Sequence, residues 1–370
     1  MKNDNKKKTF VTLFERTNNE ILMKDVGLIP YFMMRDFEYN AYVATCKMPG
    51  EYSYLNSYLN GFKVDFFKPI FKNYWLGAVY YLIKNSKKID ILNIYHLKLQ
   101  TYVLYWIYSH LNKKGKTYLK LDMAPDAIEK KDKKLQELVY KKFLKSVDYC
   151  TTESTDMQDK IYQKYGAKIS ILFNGYFDFD EDTEQEKEDI FLTVGRLGTT
   201  QKATDILLEA FKRTSMNHKW KLVLIGGVED SFKPYIDEYF KMNPELRDRV
   251  IFIGKIIDKK VLKQYYEKAK VFILPSRWES FGLVLLEAMY SGCYLVGTDK
   301  IPPMNDLING GEFGTIVKSD SINELSETLL GLTNKRFSSE YSFSIKKYAR
   351  DKFSWGIGCL SILRGLKEVE

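Results

Sequence analysis

Val271–Glu287 reads VFILPSRWESFGLVLLE. A short apolar run, Val271–Leu274, has strand character and ends at Pro275-Ser276. A brief loop follows, and an apolar helical pattern starts near Phe281-Gly282. Glycine at a helix start lets a ligand approach the backbone. The first-turn amides of Gly282, Leu283 and Val284 have no intrahelical acceptor. With the positive end of the helix dipole they make an anion site. Two carboxylates bracket that site, Glu279 before the helix and Glu287 eight residues on. At ~1.5 Å rise per residue they stand up to about 12 Å apart. That is too far for a paired acid and base, and it suits gripping two ends of one ligand across a diphosphate. The plain alternative is a capped core helix with two surface glutamates.

The same strand–turn–helix grammar runs through the chain. In the first half, strands are expected at Thr9–Phe14, Ala41–Thr45, Ile91–Tyr95, Thr117–Leu121 and Tyr149–Thr152. Helical patterns such as Leu97–Leu111 and Asp132–Leu144 lie between them. In the second half, strands are expected at Phe191–Val194, Leu222–Ile225, Val250–Ile253, Val271–Leu274 and Tyr294–Gly297. Alternating strands and helices imply parallel sheets covered on both faces. Ligands of such sheets sit beyond the carboxyl ends of the strands.

One of those ends reads FLTVGRLGTTQK, Phe191–Lys202. Arg196 and Lys202 follow the strand and precede a helix expected at Ala203–Arg213. Two cations there suit a diphosphate whose charge must be stabilised as it leaves. A surface pair is the plain alternative.

The chain has 370 residues, which at about 150 per domain gives two domains. The alternation weakens once, at Phe177–Lys187, an acidic stretch without aliphatic residues. The division is therefore 1–175 for a first Rossmann-like domain, 176–189 for a linker and 190–345 for a second such domain. Residues 346–370 form a C-terminal helix that crosses back to the first. Asp178-Phe179-Asp180 in the linker matches a D-x-D metal pattern. Its place in a charged linker, away from a strand end, argues against a metal there.

Composition excludes several classes. Aromatic residues make up 15% of the chain, against wholesale disorder. No apolar run approaches the ~20 residues of a membrane-spanning helix, and MKNDNKKK at the start lacks a signal peptide's apolar region. A cytoplasmic protein is expected. Cys46, Cys150, Cys293 and Cys359 are far apart, so neither a CxxC metal site nor a disulfide framework is expected. Three histidines argue against a His-built metal site.

The net charge of +9 is uneven. Residues 1–150 carry 26 Lys/Arg against 15 Asp/Glu, and the rest carry 31 against 33. The basic half holds 27 of the aromatic residues. An anionic partner follows, nucleic acid or a membrane surface. Lysine outnumbers arginine 47 to 10, which suits diffuse attraction to lipid better than base reading. AT-rich coding explains the lysines equally well.

Together these segments resemble glycosyltransferase family 4, the retaining nucleotide-sugar transferases of the GT-B fold. The resemblance rests on Gly195-Arg196-Leu197 with Lys202, Gly226-Gly227, and PSxxESFGxxxxEA at 275–288. The last holds the E-x7-E signature as Glu279 and Glu287. Asn174-Gly175 and Gly254 also agree. The resemblance covers the second half closely and the first in outline. It implies an α/β architecture of two Rossmann-like domains, their parallel sheets facing across a deep cleft. It implies that Arg196, Lys202, Gly282 and Leu283 hold the donor diphosphate. The amide of Phe281 and the carboxylate of Glu279 meet the donor sugar, Glu287 meets the ribose, and Gly254–Ile256 lies near the base. The family is metal-independent, so neither metal nor other cofactor is expected. Front-face attack, with the leaving phosphate taking the acceptor proton, needs no dedicated base. Two departures stand out. Ala203 occupies a position where glycine is common, and no double-glycine loop follows the first strand. The catalytic residue of the first domain is either Asp122, after the strand Thr117–Leu121, or His96, after Ile91–Tyr95.

In this family the first domain binds the acceptor. Its basic, aromatic character fits a lipid-linked saccharide at the inner face of the cell membrane, with the protein peripheral there. Leu97–Leu111, with Tyr102, Tyr105, Trp106 and Tyr108, suits a lipid boundary, sugar stacking or a buried helix. The expected activity is hexosyl transfer from a nucleotide sugar, UDP-linked by family frequency, in bacterial cell-surface polysaccharide synthesis. Competing readings are a protein Ser/Thr acceptor and a non-catalytic subunit of the same fold. Nucleic-acid binding ranks last, because no nucleic-acid module is recognised.

Overall fold

The computed structural model describes residues 7–123, 125–178 and 186–369. They divide into two units. One runs to Phe177 and regains the chain at Ser354, and the other spans Asp178–Phe353.

In the first unit the strands are β1 (Thr9–Thr17), β2 (Asn40–Lys47), β3 (Lys63–Phe67), β4 (Ile91–Tyr95), β5 (Lys116–Leu121), β6 (Tyr149–Thr152) and β7 (Ser170–Ile171). They form one seven-stranded sheet in the order β3-β2-β1-β4-β5-β6-β7, and every pairing is parallel. Helices cover both faces, so the central strands are buried along most of their length rather than alternating, with Thr12, Asn93 and Lys120 as buried polar exceptions. All five residues of β4 are buried. One face packs Leu92, Leu119, Leu104, Tyr108 and Phe143 together. The other packs Phe10, Val43 and Ile29 against Trp355, Cys359 and Ile362 of the C-terminal helix Trp355–Gly365.

In the second unit the strands are β8 (Glu188–Val194), β9 (Lys221–Ile225), β10 (Val250–Gly254), β11 (Ala269–Leu274), β12 (Tyr294–Thr298) and β13 (Gly314–Val317). Their order is β10-β9-β8-β11-β12-β13, again all parallel. Phe191, Leu222, Leu224 and Ile273 centre its core with Leu207, Phe211 and Leu329 from the helices.

Both sheets reverse direction of growth next to their first strand. The reversal lies between β1 and β4 in one sheet and between β8 and β11 in the other. Helices flanking that point diverge and leave room for a ligand at the strands' carboxyl ends. The loops bearing Arg196 and Lys202 (after β8) and Glu279 (after β11) therefore leave neighbouring strands.

Boundaries differ in places. The C-terminal passage read at residue 346 falls at Ser354. The helix Ser339–Phe353 stays in the second unit, and Trp355 enters the first unit's core. β8 begins at Glu188, inside the stretch read as linker. The helix expected from Phe281-Gly282 begins at Leu283. All four cysteines are free and buried. Among the described residues no helix is long and apolar enough to cross a membrane.

Candidate active site

Glycine packing brings the second unit's loops close. A Cβ built on Gly226 would lie 1.7 Å from the carbonyl oxygen of Gly195, so the β8 and β9 turns touch through bare backbone. The Lys202 stem then passes over Gly195, whose added Cβ would lie 3.3 Å from Lys202 Cε. Ala203, next along, is buried with φ +47°. That left-handed backbone explains why glycine is favoured there in the resembling family.

The Lys202 ammonium ends on Glu279 Oε1 in an ion pair with little exposure, 16% for the lysine side chain and 10% for the glutamate. Buried Ser276 donates its hydroxyl to the same oxygen at 2.7 Å. Thr298 in turn donates to the Ser276 carbonyl at 2.6 Å. The two residues assigned separately to diphosphate and sugar therefore form one ion pair, neutral as a whole. An anion arriving there competes with Glu279 for the lysine.

Other contacts stitch the two loops together. Arg277 donates to the Thr200 carbonyl at 2.7 Å and to Asp320 and Asp205 at 2.6 and 3.1 Å. Its backbone N–H donates to the Gln201 carbonyl at 2.8 Å. Gln201 Nε2 donates to the Trp278 carbonyl at 3.0 Å, and Arg196 donates to Gln201 Oε1 at 3.1 Å. Arg196 is exposed, so its guanidinium is a rim cation held in place. Arg277, Gln201 and Ser276 were not singled out in the sequence, although all three lie inside the quoted motifs.

The helix Leu283–Tyr290 starts from Gly282, whose φ of +81° is left-handed. The Phe281 ring is buried, so it meets no ligand face on. Glu287 sits within that helix and accepts from Lys259 at 3.0 Å and from the Tyr266 hydroxyl at 2.8 Å. Glu279 and Glu287 thus have separate partners, as two grips on one ligand require. Of the linker pattern, Phe179 and Asp180 lie outside the described residues. Asp178 faces Lys263 at 3.5 Å and Arg350 at 3.6 Å.

In the first unit the structure brings His96 and Asp122 together. His96 has φ +66°, and its Nδ1 lies 3.0 Å from the Asp122 carbonyl. A carbonyl only accepts, so Nδ1 carries the hydrogen. Two residues before Asp122, within β5, Lys120 is wholly buried. Its ammonium pairs with Glu153, lies 3.0 Å from Asp25 and donates to Asn174 Oδ1 at 3.0 Å. Asn174 Nδ2 donates to Glu153 Oε1 at 2.8 Å. Burial disfavours the Lys120 charge, but Asp25 and Glu153 outweigh it and its pKa lies above the ordinary lysine range. Burial raises the Glu153 carboxyl despite Lys120. Sequence reasoning missed this cluster, because a lysine in a strand reads as a solvated position.

Residues 177–352 match the family model described as glycosyl transferases group 1. A lipopolysaccharide core biosynthesis mannosyltransferase of Rhizobium meliloti is 28% identical over 142 residues, 37% of this chain and 39% of that protein. A Campylobacter jejuni protein is 27% identical over 220 residues, 57% of this chain and 59% of that protein. It is named as an N-acetylgalactosaminyltransferase acting on an undecaprenol-linked saccharide. The matches thus span roughly half the length of these relatives. The crystal structure of Anabaena Alr3699/HepE in complex with UDP superposes with a TM-score of 0.71 at 16% identity. It covers 98% of this chain and 100% of that one. The fold is the two-unit α/β fold of GT-B glycosyltransferases. The matching model describes glycosyl transferases, and both named relatives are glycosyltransferases.

Proposed function

We propose that this chain transfers a hexosyl unit from a nucleoside diphosphate sugar, UDP-linked, to a lipid-linked saccharide in cell-surface glycan synthesis, with retention of configuration. The observation that carries it is the meeting of Lys202 and Glu279 beside the Gly282 helix start, with Arg196 at the rim. In this reading Lys202, Arg196 and the first-turn amides take the donor diphosphate. Glu279, released from Lys202, accepts from hydroxyls of the donor sugar, and Glu287 accepts from the ribose. As the bond from the sugar's anomeric carbon to phosphate breaks, negative charge grows on the leaving oxygen. The cations and amides stabilise it. The acceptor hydroxyl attacks from the same face and passes its proton to the leaving phosphate, so no side-chain base is required. No metal enters this reading. The first unit takes the acceptor, and His96 and Asp122 are its candidate catalytic residues. The relatives named for lipopolysaccharide and undecaprenol-linked substrates support the acceptor class.

The test is transfer itself. Incubation with UDP-sugars and an undecaprenyl-diphosphate saccharide in EDTA should give one extended product with the donor's anomeric configuration by NMR. An inverted product, or transfer only with added divalent metal, would refute the mechanism.

A further inference from the structure

Between β3 and the helix Tyr74–Asn85 the chain makes a turn that its residues do not favour. The Ile70 amide donates to the Asn73 carbonyl at 3.2 Å, and the Asn73 amide returns a bond to Ile70 at 2.8 Å. The two residues enclosed, Phe71 and Lys72, have φ of +48° and +59°. A two-residue turn with both φ positive is the mirror-image hairpin turn, ordinarily made by Asn-Gly or Asp-Gly. A bulky residue in that conformation is strained, and strain kept at a surface turn points to a use for the geometry. Here the geometry lifts Phe71 into solvent, 94% exposed, the most exposed large apolar residue among those described.

The surroundings have a consistent chemistry. Lys68 and Lys72 are exposed on the same turn. Beside it lies a cavity of about 320 Å³ lined by Phe67, Ile70, Tyr80 and Tyr81 together with Lys68 and Lys84, and no acidic residue lines it. Lys84 holds its ammonium 4.5 Å from the Tyr80 ring centre. The turn leads into Trp75, which donates to the Gln100 carbonyl at 3.3 Å and so joins the starts of two helices. On the second of these, Leu99–Leu111, exposed Leu99, Val103 and Trp106 recur at helical spacing along one side. Single exposed apolar residues need no explanation. A succession of them rimmed by lysines marks an interaction surface.

We propose that the Phe71 turn docks on an anionic phospholipid bilayer. Phe71 enters the boundary between headgroups and acyl chains, and Lys68, Lys72 and Lys84 face the lipid phosphates. Charge complementarity selects this occupant. Lysines with long apolar stems and aromatic rings suit an interface that is greasy on one side and anionic on the other. The excess of 26 basic over 15 acidic residues in 1–150 adds long-range attraction. The proposal gives the lipid-linked acceptor reading its route to substrate and rests on that reading for its purpose.

Flotation of the purified full chain with phosphatidylglycerol–phosphatidylethanolamine vesicles, against phosphatidylcholine vesicles, tests it without any sugar transfer. Partition into the anionic vesicles should fall as salt rises. Phe71→Ser should weaken partition by about tenfold. The pair Lys68→Glu with Lys72→Glu should weaken it at least as much. All these positions are exposed, so melting temperature and nucleotide binding should stay at wild-type values. Wild type that ignores anionic vesicles, equal binding to neutral vesicles, or Phe71→Ser that binds like wild type would overturn the proposal. Intact vesicle partition without nucleotide binding would overturn the transferase reading instead.

Discussion

Replacing Lys202 by methionine keeps the stem over Gly195 and removes the charge. Two losses follow, and they separate. Glu279 is left with the Ser276 hydroxyl at 2.7 Å and no cation, at 10% side-chain exposure. Removing one partner of a buried pair costs about 3–5 kcal/mol. The residual exposure and the Ser276 bond place this case at the lower end, about 3 kcal/mol. In a domain of this size that lowers the melting temperature by roughly 6–12 °C. A charge-assisted contact to a diphosphate is also lost, worth about 1.5–3 kcal/mol, so nucleotide binding weakens by roughly 10- to 150-fold. Adding Glu279→Gln to Lys202→Met removes the uncompensated charge. The double variant should recover most of the melting temperature and none of the affinity. Glu279→Gln alone frees Lys202, so nucleoside diphosphate affinity should hold or rise while sugar transfer falls. Thermal unfolding by circular dichroism and nucleotide titration by calorimetry read the two losses independently. If Lys202→Met binds nucleotide like wild type, the lysine is a structural partner of Glu279 and the site reasoning fails. If the double variant melts no higher than Lys202→Met, the ion pair is not what Lys202 contributes to stability.

Three further outcomes are expected. Gly226→Ala drives a methyl into the Gly195 carbonyl, 1.7 Å away, and should cost at least about 3 kcal/mol in urea unfolding; a loss under 1 kcal/mol would contradict the packing. Lys120→Met strands Asp25 and Glu153 and should cost about 3–5 kcal/mol near pH 9.5; because burial raises the Glu153 carboxyl well above the ordinary range, the loss should shrink as pH falls from there to 6.5, and a pH-independent loss would refute the charge argument. Burial, helped by Arg249, lowers His218 to about 4. The folded state then binds fewer protons than the unfolded state between about pH 6.5 and 4. Stability should fall as pH falls through that window, by about 1–2 kcal/mol once solvent screening is allowed for. His218→Gln should flatten the slope, and an unchanged slope would show that other groups carry it.

Much of the fold was legible because buried parallel strands are largely apolar rather than alternating. Runs such as Ile91–Tyr95 and Leu222–Ile225 announce themselves in this way. The strands that went unread are edges, where that rule relaxes. β3 carries Lys63 and Asp65, β7 has two residues and β13 opens with glycine. The donor side of the site was legible because its residues sit in two short segments leaving adjacent strands. What could not be read was their pairing. Lys202 and Glu279 are 77 positions apart, and only the β8–β11 register brings them together. Lys120 was missed for a related reason. Its partners are Asp25 at the start of the helix Asp25–Phe37 and Glu153 and Asn174 in two separate loops, and nothing local to β5 predicts a buried cation. The double-positive turn at Phe71-Lys72 was equally silent, because neither of its two central residues is asparagine or glycine.

The central claim is that the Lys202–Glu279 corner is a metal-independent nucleotide-diphosphate site. It is met most directly by calorimetric titration of UDP, GDP, ADP and dTDP into the purified chain with EDTA present, wild type beside Lys202→Met. Tight binding of one nucleotide, UDP in this account, that weakens at least tenfold in the variant is the predicted result. No measurable binding of any of the four, or binding that Lys202→Met leaves untouched, would contradict the account.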